Sequence, residues 1–318
     1  MSTPSVAVIV PTLDSAATLG AALHAVTELD WPREDMDVII VDGGSVDDTL
    51  GLAREHNARL FVRGGTDADF RRNFAAGQTD ALTLFFLDPR CAPPRDWVRA
   101  SLRHLELAQV AAVGVRPVPP SGPDASWVQR AWAQRCLARP SDAPARRLDV
   151  RLLAVRRFEF LAAGGLPEGY GAVAVTELLR RIAGPGSARR RLVALTRADG
   201  VRLGTGRGLR DFYRAQRRLG EASLSDGLRL GLVAADTAHV LMPLYGLLAT
   251  FALLASGLRH ALAARPVDLE LALVAAAALL PSVGPALQVA LRRRRPDLFP
   301  GLWLLYVVRM AARGAAVR

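Results

Sequence analysis

VAVIVPTLDSAATL (Val6–Leu19) and DVIIVDGGSVDDTL (Asp37–Leu50) repeat one pattern: a short apolar run, a polar turn, then helical spacing. Short apolar runs bounded by turn residues fit strands buried on both faces. Working outward, Val6–Val10, Val38–Val41, Leu60–Val62, Leu82–Leu87 and Val110–Val115 read as strands, with Ala16–Leu29 and Asp47–His56 as helices between them. Strands alternating with helices predict an α/β layer fold with a mainly parallel sheet. Such sheets bind ligands at the carboxyl ends of their strands, so Pro11–Ser15, Asp42–Asp47 and Asp88–Cys91 are expected to line one crevice. Thr12, Asp14, Asp42 and Ser45 put short polar side chains there, and Gly43-Gly44 lets a ligand approach the backbone. This set suits a nucleotide.

The chain has 318 residues, 51% of them hydrophobic, which excludes a stapled mini-domain and a mainly disordered chain. Its net charge is +11 and all 41 basic residues are arginine. Guanidinium forks suit phosphate groups, whether on nucleotides, lipid headgroups or nucleic acid. The cluster Arg189–Arg191 has no interleaved aromatics, so nucleic acid is not expected as a partner. Cys91 and Cys136 give no disulfide framework or zinc spacing, and the five histidines show no ligand spacing. The opening residues lack the basic and apolar regions of a secretory leader.

Towards the C-terminus the charge pattern changes. Thr237–Leu258 holds 22 residues without formal charge and Leu271–Leu291 holds 21. As helices they would span about 33 and 31 Å, against a hydrocarbon core of about 30 Å. Pro281, Gly284 and Pro285 are expected to kink the second run or make it re-entrant. Arg292–Arg295 follow at once, against Arg259 and Arg265 in the linker, which predicts a hairpin with both ends cytoplasmic. A segment at about 298–313, carrying Arg309 and Arg313, reads as an interfacial helix whose arginines, with Arg318, face headgroups. The expected organisation is a nucleotide-binding domain over 1–225 and a membrane region over 226–318, with helices at about 237–258 and 271–291. The N-terminal domain would face the cytoplasm from the cytoplasmic membrane.

Five ordered stretches, the two quoted first with DFRRNFAAG (Asp69–Gly77), LTLFFLDPRCAPPRDWV (Leu82–Val98) and LAVRRFEFLAAGGLPEG (Leu153–Gly169), together resemble the family 2 glycosyltransferases of the GT-A fold. The resemblance covers about residues 5–220. It implies a Rossmann-like sheet flanked by helices, and an enzyme moving a sugar from a nucleotide-sugar donor to an acceptor with inversion. It also implies that Pro11, Thr12, Asp14 and Asp42 contact the base and ribose of the donor, with Arg72 nearby.

Two departures from the family pattern concern chemistry. Family members carry Asp-x-Asp where this chain has Asp88-Pro89-Arg90; the second carboxylate holds Mg or Mn against the donor diphosphate. Arg90 either replaces the cation in stabilising the leaving group, or repels metal from Asp88 and reports lost catalysis, or points to solvent. The acidic pair that supplies the acceptor base is replaced by Ala174-Val175, leaving Glu177 as candidate base and Glu168 as a second. The alternative for Glu177 is an exposed pair with Arg180 or Arg181. Gly204–Gly208 (GTGRG) reads as a flexible loop, with Arg207 able to close over a diphosphate. Gln216–Gly220 (QRRLG) places Leu219 where processive synthases of the family have an arginine, which implies single addition. An envelope polysaccharide or lipid-linked acceptor follows from the membrane hairpin. The alternative is a catalytically degenerate GT-A protein serving as a binding or structural subunit of a membrane glycan-assembly complex.

Overall fold

The structure is a computed structural model that describes residues 5–65, 67–138, 143–145, 148–169, 174–183, 191–196, 200–218, 252, 255–257, 259 and 282–315. It divides into two compact units, Met1–Pro120 with Arg139–Gly204, and Ser121–Ala138 with Thr205–Arg318. The division falls after Gly204 rather than at 225, and the second unit takes in an earlier stretch of chain.

The first unit is an eight-stranded sheet. Its strands are β1 (Val6–Thr12), β2 (Met36–Asp42), β3 (Arg59–Val62), β4 (Thr83–Leu87), β6 (Val110–Val115), β7 (Ala143–Ala145), β8 (Leu152–Arg156) and β9 (Arg191–Leu195), in the order β3-β2-β1-β4-β8-β6-β9-β7. All five strands expected from the apolar runs form. The first four in that order are parallel, with β1 central: Thr12 lies opposite Asp42 on β2, and Ile9 opposite Phe86 on β4. Helices α1 (Ala16–Thr27), α2 (Thr49–Glu55), α3 (Ala68–Ala76), α4 (Trp97–Leu105), α6 (Arg157–Ala162) and α7 (Ala174–Ala183) complete the unit.

The strands read as continuous apolar runs because both faces are covered. On β1, Val6, Val8 and Val10 enter one core with Ile40, Phe85 and Trp97, while Ala7 and Ile9 enter the other with Ile39, Phe86 and Phe160. Parallel pairing brings the carboxyl ends of β1, β2, β3 and β4 to one edge. The antiparallel β8 begins at that same edge, where Leu152 faces Leu87. A two-residue strand β5 (Cys91–Ala92) leaves that edge and pairs antiparallel with β10 (Val201–Arg202), setting Arg202 opposite Cys91.

In the second unit, α5 (Trp127–Leu137) opens with a capping box between Ser126 and Gln129. It packs Val128 and Ala131 against Leu305 of the C-terminal helix Phe299–Gly314 and against Phe212. Trp132 meets Phe212 and Tyr306 edge-on, and Arg135 donates to the Tyr306 hydroxyl at 3.0 Å. These apolar contacts explain why Ser121–Ala138 groups with the C-terminal part of the chain. The expected interfacial segment is a helix, but Arg313 is buried at 6% exposure rather than presented outward.

Of the expected membrane runs, 237–258 lies outside the described residues except at 252 and 255–257, and 271–291 is described only from 282. Among the described residues no helix is long and apolar enough to cross a membrane.

Candidate functional site

The turn after β2 is built around one carboxylate. Asp42 Oδ1 accepts the N–H groups of Gly44 (2.8 Å) and Ser45 (2.7 Å), and Oδ2 accepts the hydroxyls of Thr12 (2.8 Å) and Ser45 (2.6 Å). Burial pushes the Asp42 carboxyl up, but the bonds from Ser45, Thr12 and Gly44 outweigh it and hold the group below the ordinary carboxylate range. Ser45 Oγ in turn accepts Asp14 N–H at 2.8 Å, and Asp14 Oδ1 accepts Val46 N–H at 2.9 Å. Asp14 holds this place at φ 45°, a left-handed conformation that Asp tolerates better than most residues. The turns after β1 and β2 are thereby locked to each other.

These bonds divide the nucleotide-binding expectations. Asp14 is exposed and Ser45 partly so, at the mouth of the edge, while Pro11, Thr12 and Asp42 are buried. Asp42 has 0% exposure and accepts four hydrogen bonds, by which it organises the turns after β1 and β2.

Of the two arginines in the RRN segment, Arg71 is the one that lies against Gly43. Adjacent residues on a helix point about 100° apart. Arg72 turns inward to pair with Asp69 at 2.6 Å, and both are buried. Arg71, itself buried at 3% exposure, donates to the Gly65 carbonyl and lies against Gly43, where a Cβ would stand 2.6 Å from Arg71 Nη1 and 2.8 Å from the Gly65 oxygen. The RRN segment marked the right helix, and only its phase, set by which face packs on β1 and β2, separates the two arginines. Gly43→Val is expected to displace Arg71 and weaken nucleoside diphosphate binding about tenfold, since overpacking against backbone costs about 1–3 kcal/mol; calorimetric titration of the variant checks this.

Next along the edge, counting from the Ile9–Phe86 pair brings Thr12 level with Pro89. Here Asp88 and Arg90 fold into a clasp: Asp88 Oδ1 accepts Arg90 N–H (2.9 Å) and Nε–H (3.0 Å), and Oδ2 accepts Nη2–H (2.9 Å). Pro89 sits inside a turn closed by Cys91 N–H donating to the Asp88 carbonyl. Burial raises the Asp88 pKa, but the Arg90 guanidinium more than cancels this and holds it low. Arg90 itself keeps 64% of its side chain exposed. A divalent cation does not fit this arrangement. Both Asp88 oxygens are held by a guanidinium, a cation occupies the position of the second carboxylate, and no group of three or more His, Cys, Asp or Glu that could hold a metal ion occurs among the described residues.

The expected base region also rearranges. Ala174 and Val175 are turned into the core with Phe160 and Leu166, so they do not face the edge. Glu177 is held by Arg180 (2.8 Å) and Arg181 (2.9 Å), and these bonds, the Arg180 one first, pull its pKa down to about 2. A carboxylate so clamped is a weak proton acceptor. Glu168 is exposed and has no ion pair among the described residues. Its loop is fixed from both sides: Gly169 N–H donates to Asp67 Oδ2 at 2.7 Å, and Asn73 exchanges two bonds with the Leu166 backbone (2.8 and 2.9 Å). Asp67 caps α3 at the turn after β3, which keeps Glu168 at the carboxyl edge. Arg207, in the second unit, donates to the Asp124 carbonyl at 2.6 Å.

Known proteins resemble this chain in sequence over its first half and in fold. Residues 7–157 match the model of glycosyl transferase family 2. Glycosyltransferase AglE of Haloferax volcanii is 29% identical over 117 residues, which cover 35% of this chain and 38% of AglE; the match thus spans well under half of that relative. Among solved structures, the mannosyltransferase PcManGT of Pyrobaculum calidifontis, determined with GDP-Man and Mn2+, superposes with a TM-score of 0.57 at 21% identity, covering 99% of this chain and 88% of that one. That likeness carries the fold. The motif stretches, the carboxyl-edge turns and the match to the family 2 model thus fall on the same part of the chain, residues 7–157, which is similar to the family 2 glycosyl transferases.

Proposed function

We propose that this protein transfers a single sugar from a nucleotide-sugar donor to a glycan or lipid-linked acceptor at the cytoplasmic face of a membrane. The observation that carries the reading is the Asp14–Asp42–Ser45 lock beside the Asp88–Arg90 clasp, at one sheet edge within the family 2 match. The locked turns receive the nucleoside, and the β4 turn lies where the diphosphate would leave. In the reaction the acceptor hydroxyl oxygen attacks the anomeric carbon. The bond from that carbon to the diphosphate breaks, its electron pair passing to the diphosphate oxygen, and the hydroxyl proton passes to Glu168. Positive charge at the β4 turn would stabilise the departing diphosphate.

Purified protein is assayed for nucleoside diphosphate release from a panel of sugar nucleotides, with lipid extract as acceptor source. Release that depends on one donor and on the extract is expected. Nucleotide binding without sugar transfer from any donor would overturn the enzymatic reading in favour of a binding subunit.

Membrane attachment is supported by the uncharged runs at 237–258 and 271–291 and by Arg292–Arg295 after them. The full chain is expected to stay in the membrane pellet through an alkaline carbonate wash; release into the supernatant would contradict the attachment and, with it, the argument for a lipid-linked acceptor.

A further inference from the structure

The Asp88–Arg90 clasp has a twin. Asp149-Val150-Arg151 folds the same way: Arg151 N–H donates to Asp149 Oδ1 at 3.0 Å and its guanidinium grips Asp149 Oδ2, with Nε at 2.8 Å. Strand pairing sets the two side by side, because Asp88 N–H donates to the Arg151 carbonyl at 2.8 Å. A third arginine arrives on β10. Arg202 pairs with Cys91 through the backbone, and Leu203 N–H donates to the Arg90 carbonyl at 2.7 Å. Arg90 and Arg151 are each neutralised by their own aspartate. Arg202 is not: its half-buried guanidinium makes no side-chain hydrogen bond or ion pair among the described residues. Burial first, and then the neighbouring Arg151 and Arg90, push its pKa down, against a smaller opposing effect of Asp149.

A guanidinium placed beside two others with no carboxylate of its own is costly unless an anion arrives. Most donors of Arg90 and all those of Arg202 are uncommitted, and a guanidinium fork matches phosphate oxygens. Two positions on, Gly204 lies against Thr18 in the first turn of α1, where an added Cβ would stand 3.2 Å from Thr18 Cγ2. The cluster therefore adjoins the helix that begins at the Asp14 turn.

We infer that Arg90 and Arg202 form a metal-independent clamp for the diphosphate of the donor, standing where the fold family uses a divalent cation. The inference rests on the nucleotide-sugar reading above and deepens it. When the bond from the anomeric carbon to the diphosphate breaks, the negative charge gained by the diphosphate is met by guanidinium hydrogen bonds already in place, and no other reactant is needed.

Full-length protein is titrated calorimetrically with UDP, GDP, ADP, CDP and dTDP and with the parent nucleosides, first in EDTA and then in Mn2+. At least one diphosphate is expected to bind in EDTA, with its affinity changed less than about twofold by Mn2+. Arg202→Gln and Arg90→Gln should each weaken it by about tenfold or more, as loss of charge-assisted bonds implies, while the nucleoside binds all forms alike. Arg202→Lys should recover part of the loss. Arg90→Asp should lose diphosphate binding in EDTA and regain it with Mn2+. Diphosphate binding that appears only with Mn2+ in the wild type, or that is unchanged by Arg90→Gln, overturns the clamp while leaving the nucleotide site standing. If Arg202→Gln fails to fold, the exposed Arg90 decides the matter. Failure of every diphosphate and nucleoside to bind in either condition overturns the nucleotide-sugar reading and the clamp together.

Discussion

Asp42→Ala is expected to destabilise the domain by about 3 kcal/mol and to lower nucleotide affinity by about a hundredfold. The substitution strands the donors that Asp42 gathers: the Thr12 and Ser45 hydroxyls and the Gly44 and Ser45 N–H groups. Water can reach the partly exposed Gly44 and Ser45 groups, so the cost falls mainly on the buried Thr12 hydroxyl and on the lost charge-assisted bonds. Affinity drops because Ser45 no longer holds Asp14 in its left-handed conformation, and only a small fraction of molecules would present the locked turns. Chemical denaturation and calorimetric titration measure the two effects. The same carboxylate makes the domain acid-labile. Asp42, Asp88 and Asp149 all lie below the ordinary value of 3.8 in the folded chain, where hydrogen bonds and neighbouring arginines overcome burial. Their contribution is complete above the unfolded pKa and is lost as pH falls through the folded values. Stability should therefore decline below about pH 4, and less steeply in Asp42→Ala than in the wild type. A parallel decline in both would show that Asp42 is not the hub described here.

Glu168→Gln is expected to cut the rate of sugar transfer by about a hundredfold or more while leaving the KM for the donor within about twofold, the signature of a lost proton acceptor. Glu177→Gln is expected to leave the rate within about twofold, because a carboxylate with a pKa near 2 and two arginines on it accepts protons poorly. The two side chains differ in one physical respect: Glu177 has helix neighbours at i+3 and i+4 that are both arginine, whereas Glu168 lies on an exposed loop anchored at Asp67 and Asn73. Asn73→Ala, which unties that loop without touching a carboxylate, separates positioning from proton transfer. It should lower the rate without the change in pH profile that Glu168→Gln produces. An unchanged rate in Glu168→Gln would return the base to another group.

The parallel half of the fold was legible because β1, β2 and β4 are buried on both faces and therefore read as uninterrupted apolar runs. The carboxyl-edge rule then placed the turns at Asp14, Asp42 and Asp88 correctly without further information. Less legible was what each polar residue does there. The spacing of a strand end does not tell whether Asp42 points outward to a ligand or inward to Thr12 and Ser45; hydrogen bonds from the neighbouring strand decide it. Arg71 and Arg72 are adjacent in sequence, and helix phase alone decides which lies against Gly43 and which pairs with Asp69. Arg202 carried no local signal at all, since its surroundings come from β5 and from the turn before β8, far away in the chain. The twin Asp-x-Arg clasps were present in the sequence, but only the antiparallel pairing of β4 with β8 makes neighbours of them.

The central claim, that the carboxyl ends of β1, β2 and β4 receive the nucleotide sugar, is tested most directly by hydrogen–deuterium exchange of the full chain with and without saturating nucleoside diphosphate. Protection is predicted in the peptides covering 11–17, 42–49, 88–92 and 201–204. A nucleotide that binds while those peptides exchange unchanged, with protection confined to other segments, would contradict the account.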